Sequence, residues 1–308
     1  MAVSTIRIAL AGIGKIARDQ HIPTIAASDR FELVAAVTRH EPPEGVPGFT
    51  TVAEMMAAVP DIHAISICTP PRGRLALIEE ALAHGLDVMI EKPPAGTIAE
   101  AARFQPLAEA AGKVLHATWH SREAAGVEPA REWLKGKTIQ KVICNWKEDV
   151  RVWHPGQEWI WEPGIGVFDP GINALSVLTA ILPAPLELQS AELRVPENRA
   201  APIAADLAYQ MDGKPVAVAF DFDQQGPQSW DIIVQCAEGE LQLSMGASQM
   251  AVDGKPVDLP DDPEYARLYR HFARLVDARQ SDADLTPFRH VADAFLFGTR
   301  KQVDAFHW

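Results

Sequence analysis

Residues 6–17 read IRIALAGIGKIA: an apolar run that breaks at Gly12-Ile13-Gly14 and resumes as a helical pattern from Lys15 and Ile16. The run suits a strand buried on both faces, as in a parallel sheet. Gly12, Gly14 and Ala17 fit GxGxxG/A. The first glycine makes the turn, the second admits a pyrophosphate against the backbone, and Ala17 permits close packing of helix on strand. The amides from Ile13 to Ile16 then face the phosphates at the helix start. A dinucleotide site is the expectation, and a plain tight turn is the alternative.

Outward from this turn, short apolar runs alternate with helical segments. Strands are expected at Ile6–Ala11, Phe31–Val37, 63–68, 88–90 and 114–118, and helices at 15–27, Val52–Ala58, 74–84 and 98–111. This alternation predicts an α/β Rossmann domain, a doubly wound parallel sheet, over residues 1–120. The texture then changes. A helix at 128–134, a strand at 142–150 and a helix over DPGINALSVLTAIL precede alternating runs between 186 and 257. Asp212-Gly213 and Asp253-Gly254 are hairpin signals. Helices are expected at 264–279 and 290–304. Residues 121–308 therefore read as an α+β domain with a large open antiparallel sheet, which binds substrate. An open sheet of that size leaves a face for a second copy, so a homodimer is expected.

The 308 residues are 47% hydrophobic and 22% charged, with a net charge of −13. An acidic chain without a basic run is a poor binder of nucleic acid. No apolar stretch approaches the ~20 residues of a membrane span, and the first strand begins too early to leave room for a signal peptide. Three scattered cysteines and ten histidines without ligand spacing predict reduced thiols, a cytoplasmic protein and no metal site.

Further candidates cluster at strand ends. Val37-Thr38-Arg39 closes the second strand without the acid that would bind a ribose 2′-hydroxyl, and Arg39 can pair with a 2′-phosphate. This favours NADP, or use of both NADP and NAD. Thr69 and Pro70 follow the third strand, and Glu91-Lys92-Pro93 follows the fourth. Six of the eight tryptophans fall between Trp119 and Trp161, interleaved with His120, Glu148, Asp149, His154 and Glu158. Aromatic faces and carboxylates together suit a sugar. Asp169, followed by Pro170 and four residues ahead of Asn173, is either a helix cap or an aspartate aimed at substrate.

With GIGKIA, ICTPP and EKP in this order, the chain resembles the glucose-fructose oxidoreductase/inositol dehydrogenase superfamily along essentially its whole length. The stretches WKEDVRVWHPGQEWIWEPG and GVFDPGINALS are similar to those of bacterial aldose 1-dehydrogenases acting on L-arabinose and D-galactose. The resemblance implies NAD(P)-dependent oxidation of an aldopyranose at C1 to the lactone. Asn173 stands where the wider family carries His, and Arg74 where a His often follows the TPP loop. Asp169 is then expected to be the general base and Lys92 its partner, while His120, Glu148, Trp153 and Asn173 hold the sugar. Gly12, Ile13, Gly14, Lys15, Ile16, Thr38, Arg39, Thr69, Pro70, Glu91 and Lys92 are expected at the cofactor. A cyclitol dehydrogenase and a non-catalytic NADP-binding regulator are the alternatives.

Overall fold

β1 (Ile6–Ala11) buries every residue except Arg7, which is half-buried, as a central parallel strand requires. The computed structural model describes residues 4–308 and contains two compact units. In the first, β1 pairs in parallel with both β2 (Phe31–Val37) and β4 (Ala64–Ile67). β3 (Gly48–Phe49), β5 (Asp87–Ile90) and β6 (Leu115–Ala117) complete a six-stranded sheet in the order β3-β2-β1-β4-β5-β6. The order reverses at β1/β4, where ligands of doubly wound sheets bind beyond the carboxyl ends of the strands.

The helix after the glycine turn is irregular. Ala17–His21 are wound as a π-helix, closed by a bond from the Ile22 N–H to the Ala17 carbonyl, before α1 (Ile22–Ala26) begins. Pro23 lies in the first turn of α1, where its missing N–H costs nothing. α2 (Val52–Ala58), α3 (Arg74–Ala83), α4 (Ile98–Ala101) and α5 (Phe104–Ala111) follow, so the helix expected over 98–111 is two short ones.

The second unit opens with α6 (Val127–Leu134), β7 (Ile139–Lys147), α7 (Val150–Trp153) and α8 (Phe168–Ile181). Its nine-stranded sheet adds β8 (Glu187–Pro196), β9 (Ala204–Met211), β10 (Lys214–Asp221), β11 (Ser229–Cys236), β12 (Gly239–Ser244), β13 (Gln249–Val252), β14 (Lys255–Pro256) and β15 (Thr299–Val303). Asp212-Gly213 and Asp253-Gly254 are hairpin turns with positive φ at both residues.

Three expectations are corrected. The sheet is mixed, because β7 pairs in parallel with β10, and β8 with β15. The last helix, α10 (Thr286–Phe297), stops at Gly298, and residues expected to prolong it form β15. The second domain is also not continuous. The first cut falls after His120, but Pro263–Leu285 belongs to the first unit. That segment carries α9 (Glu264–Ala278), whose stripe of Tyr265, Leu268, Tyr269, Phe272 and Ala273 joins Ile6, Ile8, Leu10 and Met89 in one core. Arg30 clasps Asp277 through two bonds of 3.0 and 3.1 Å, and Arg279 donates to Asp87 at 2.8 Å.

Candidate active site

In the first unit the candidate residues gather at the carboxyl ends of adjacent strands. The Gly12 N–H bonds to the Val37 carbonyl at 2.9 Å, and the Cys68 N–H to Ala11 at 2.8 Å, so the ends of β1, β2 and β4 are laced together. Gly12 has φ +86°, and a Cβ there would lie 2.9 Å from both Cγ2 and N of Thr69. Only glycine fits. A Cβ on Gly14 would meet nothing within 4 Å, the open approach that a pyrophosphate needs. The residues present thus fit a dinucleotide. Ile13 is part of the core and Lys15 is ion-paired with Asp19, so this stretch offers its backbone to a cofactor. Thr38 turns its hydroxyl onto the His40 N–H at 2.9 Å, and Arg39 is exposed.

Glu91, expected at the cofactor, is 3% exposed, and its carboxylate is engaged inside the unit. His21 Nε2 lies 3.0 Å from it, the Tyr265 hydroxyl donates to it at 2.8 Å, and the Lys92 backbone N–H donates at 3.0 Å. Burial alone would raise its pKa, but the bond and charge of His21, with Tyr265, hold it down to about 2. Burial likewise opposes the charge on His21, yet Cys68, Tyr269 and the bond to Glu91 raise its pKa. The ion pair is therefore charged, and it sits directly behind Lys92. Lys92 itself is half-buried and joined to Pro93 by a cis peptide bond. His120 is held from α9, with Nδ1 2.7 Å from Glu264 and its ring stacked on Tyr265.

The same unit gathers His116, His271 and Asp282, whose ligand atoms lie within 4.8 Å of one another, a cluster their spacing in the sequence hides. The two imidazoles stack face to face, with ring centroids 5.1 Å apart.

In the second unit, α8 is pinned closely. A Cβ on Gly166 would fall 2.3 Å from the Pro202 carbonyl, and one on Gly171 2.7 Å from the Phe220 ring. The capping position is Val167, which has no side-chain cap to offer, so Asp169 is inside the first turn and is not the cap. Its carboxylate is 8% exposed, and His154 Nε2 stands 3.3 Å from Oδ2. His154 follows α7 in the tryptophan loop, packed edge-on to Trp159 and Phe222. An imidazole from the loop thus meets the aspartate, while Asn173 lies one turn further along α8. Only the polar character of the loop signals this in the sequence, because the contact spans fifteen residues without any helical period.

Glu148 accepts from the Trp230 indole at 2.8 Å, and Trp153 donates to Gln228 at 2.7 Å while meeting Trp230 edge-on. Trp153 remains 45% exposed, an available aromatic face, whereas Trp146 is buried. Trp230, which holds Glu148, lies far from the tryptophan cluster in sequence. Asn173 is half-buried one turn after Asp169.

Among the described residues, no helix is long and apolar enough to cross a membrane, and Cys68, Cys144 and Cys236 are buried free thiols.

Comparison with known proteins places the chain in a family. Residues 6–118 match the GFO_IDH_MocA model, described as an oxidoreductase family with an NAD-binding Rossmann fold. The chain is 45% identical over 306 residues to galactose 1-dehydrogenase of Pseudomonas fluorescens, covering 98% of this chain and 99% of that protein. It superposes on the crystal structure of D-galactose-1-dehydrogenase from Rhizobium etli with a TM-score of 0.95 and 49% identity, covering 100% and 99% of the two chains. A 3-ketoreductase of Actinomadura kijaniata, solved with NADP and TDP-benzene, shares the fold at 16% identity with a TM-score of 0.83, covering 97% and 100%.

Proposed function

Because the chain belongs to the GFO/IDH/MocA oxidoreductase family, with its NAD-binding Rossmann fold, we propose that it oxidises D-galactose at C1 to the galactonolactone. We extend the proposal to L-arabinose, which has the same configuration from C1 to C4. The observation that carries this reading is the buried Asp169 carboxylate with His154 beside it, in a unit that also presents Trp153 and the Glu148–Trp230 pair. Identity of 45% and 49% along nearly the whole length to two galactose 1-dehydrogenases supports the same substrate.

Asp169 Oδ2 takes the proton of the anomeric hydroxyl as C1 becomes a carbonyl carbon. His154 Nε2 then stabilises the acid form or carries the proton onward. The role proposed for the Lys92 ammonium, in the first unit, is to lower the pKa of the reacting hydroxyl. Trp153 stacks on the C–H face of the pyranose, while Glu148 and Asn173 take its hydroxyls; His120, in the first unit, is a further candidate hydroxyl donor. The backbone of Gly12, Ile13, Gly14, Lys15 and Ile16, with Thr38, Arg39, Thr69 and Pro70, would hold NAD(P). Bound there, it would supply the acceptor for the hydride that leaves C1. The test is kcat/KM for galactose, arabinose and inositol with both cofactors, followed at 340 nm. Activity confined to inositol, or none on any sugar, sinks the reading.

NADP is the preferred cofactor in this proposal, since β2 ends in Thr38-Arg39 without an acid. Arg39→Ala is expected to lower kcat/KM with NADP by about tenfold or more, the worth of one charge-assisted phosphate contact, and to leave NAD within about threefold. Equal losses with both cofactors would remove Arg39 from the 2′-phosphate.

The outer face of the nine-stranded sheet carries Ile143, Ala208, Ala217, Ala219 and Ile233, all exposed or half-buried. We propose that this face pairs with a second copy, so that sedimentation shows a dimer; a monomer at micromolar concentration argues otherwise. The buried free thiols suit the reducing cytoplasm.

A further inference from the structure

Arg74 is a buried cation in a costly place. It is the first residue of α3, preceded by Gly73 at φ +83°, and it is 2% exposed. The amino end of a helix disfavours positive charge, and an enclosed guanidinium forfeits its hydration. Burial lowers its pKa to about 10, with the charge of Glu91 opposing the fall. An apolar side chain would serve packing at lower cost.

What the guanidinium touches explains its presence. Nε donates to the Thr69 carbonyl at 2.9 Å, and Nη2 donates to the same oxygen. Nη1 donates to the Pro93 carbonyl at 2.6 Å and also to that of Glu91. These carbonyls belong to two separate loops, one following β4 and one following β5. The second loop consists of the residues on either side of Lys92. On the other side of the same peptide, the Glu91 carboxylate is fixed by His21 and Tyr265 and accepts the Lys92 N–H. The backbone that carries Lys92 is thus gripped from both sides, and Arg74 is the side chain that ties it to the Thr69-Pro70 loop.

We infer that Arg74 is a positioning residue, which fixes Lys92 and the Thr69-Pro70 loop in one register by binding the carbonyls of Thr69, Glu91 and Pro93. The catalytic part of this inference rests on Lys92 acting on the sugar, as proposed above. A lysine at position 74 keeps the charge but is a point donor and cannot span both loops; glutamine keeps a donor and removes the charge.

The experiment compares wild type with Arg74→Lys and Arg74→Gln, each confirmed folded by its melting transition and by binding one cofactor per chain. Two readouts are taken. The first is kcat and KM for D-galactose at saturating NADP. The second uses no substrate: the rate at which Lys92 is acylated by an amine-reactive ester, mapped by mass spectrometry against an exposed lysine such as Lys135. In both variants kcat is expected to fall by about 10- to 100-fold with KM changed less than about threefold, the penalty typical of a misplaced reacting group. The relative labelling rate of Lys92 is expected to change by at least threefold. If both variants keep kcat and labelling within twofold of wild type, the inference is wrong. If wild type turns over no sugar, the proposed function fails. The labelling ratio then still decides whether Arg74 positions Lys92.

Discussion

Asp169→Asn is expected to lower kcat for D-galactose by about three orders of magnitude, within the range by which a positioned base accelerates proton transfer. The amide has the shape of the carboxylate but cannot accept the proton. KM should change little, because sugar hydroxyls can still bond to the new side chain. A fall in kcat and kcat/KM together would mark an interaction made in the transition state. Cofactor affinity should be retained. The helix cap is Val167, so the loss of charge at Asp169 should shift the melting temperature by only a few degrees. His154→Ala should cost less than Asp169→Asn, since it removes a neighbour of the base and leaves the base. Retention of most turnover in Asp169→Asn would move the base elsewhere, with His154, 3.3 Å away, as the next group to test.

The largest effect on stability is expected at Glu91. Glu91→Ala leaves His21 buried without its counter-charge, and the Tyr265 hydroxyl and Lys92 N–H without their acceptor. Breaking a buried pair from one side costs about 3–5 kcal/mol. For a chain of this size that lowers the melting temperature by roughly 10 °C. Glu91→Gln keeps an acceptor and should lose less than half as much. The pH dependence has a definite sign. Glu91 is depressed to about 2 from 4.5, so its contribution is complete above pH 4.5 and drains away as pH falls towards 2. His21 is raised above 6.5, so its contribution is complete below pH 6.5 and fades as pH rises through the raised value. The gap between wild type and Glu91→Ala should therefore be widest from about pH 5 to 6.5 and narrow on both sides. A gap that stays constant between pH 3 and 9 would mean that shape, not charge, carries the effect.

Both residues show where sequence reasoning succeeds and where it stops. EKP after a strand drew attention to Glu91 and Lys92 together. It could not tell that one faces inward, because the partners of Glu91 are His21, seventy residues before it, and Tyr265, 174 residues after it. Asp169 was legible as a residue of a helix start. Whether it caps the helix needed the coordinates, which put Val167 at the cap and His154 at the carboxylate.

The sequence by itself determined the parallel sheet, because a strand buried on both faces must be apolar along nearly all its length. It determined the glycine turn as well, since only glycine reaches φ +86° against Thr69. Local chemistry writes such features into adjacent residues. The tertiary structure decided the rest. The stripe of α9 from Tyr265 to Ala273 requires burial without naming a partner, and the fold returned it to the first sheet. Arg74 appears in the sequence as a charged residue at the start of a helix. Its meaning lies in three carbonyls on two loops, and carbonyls are the same in every residue.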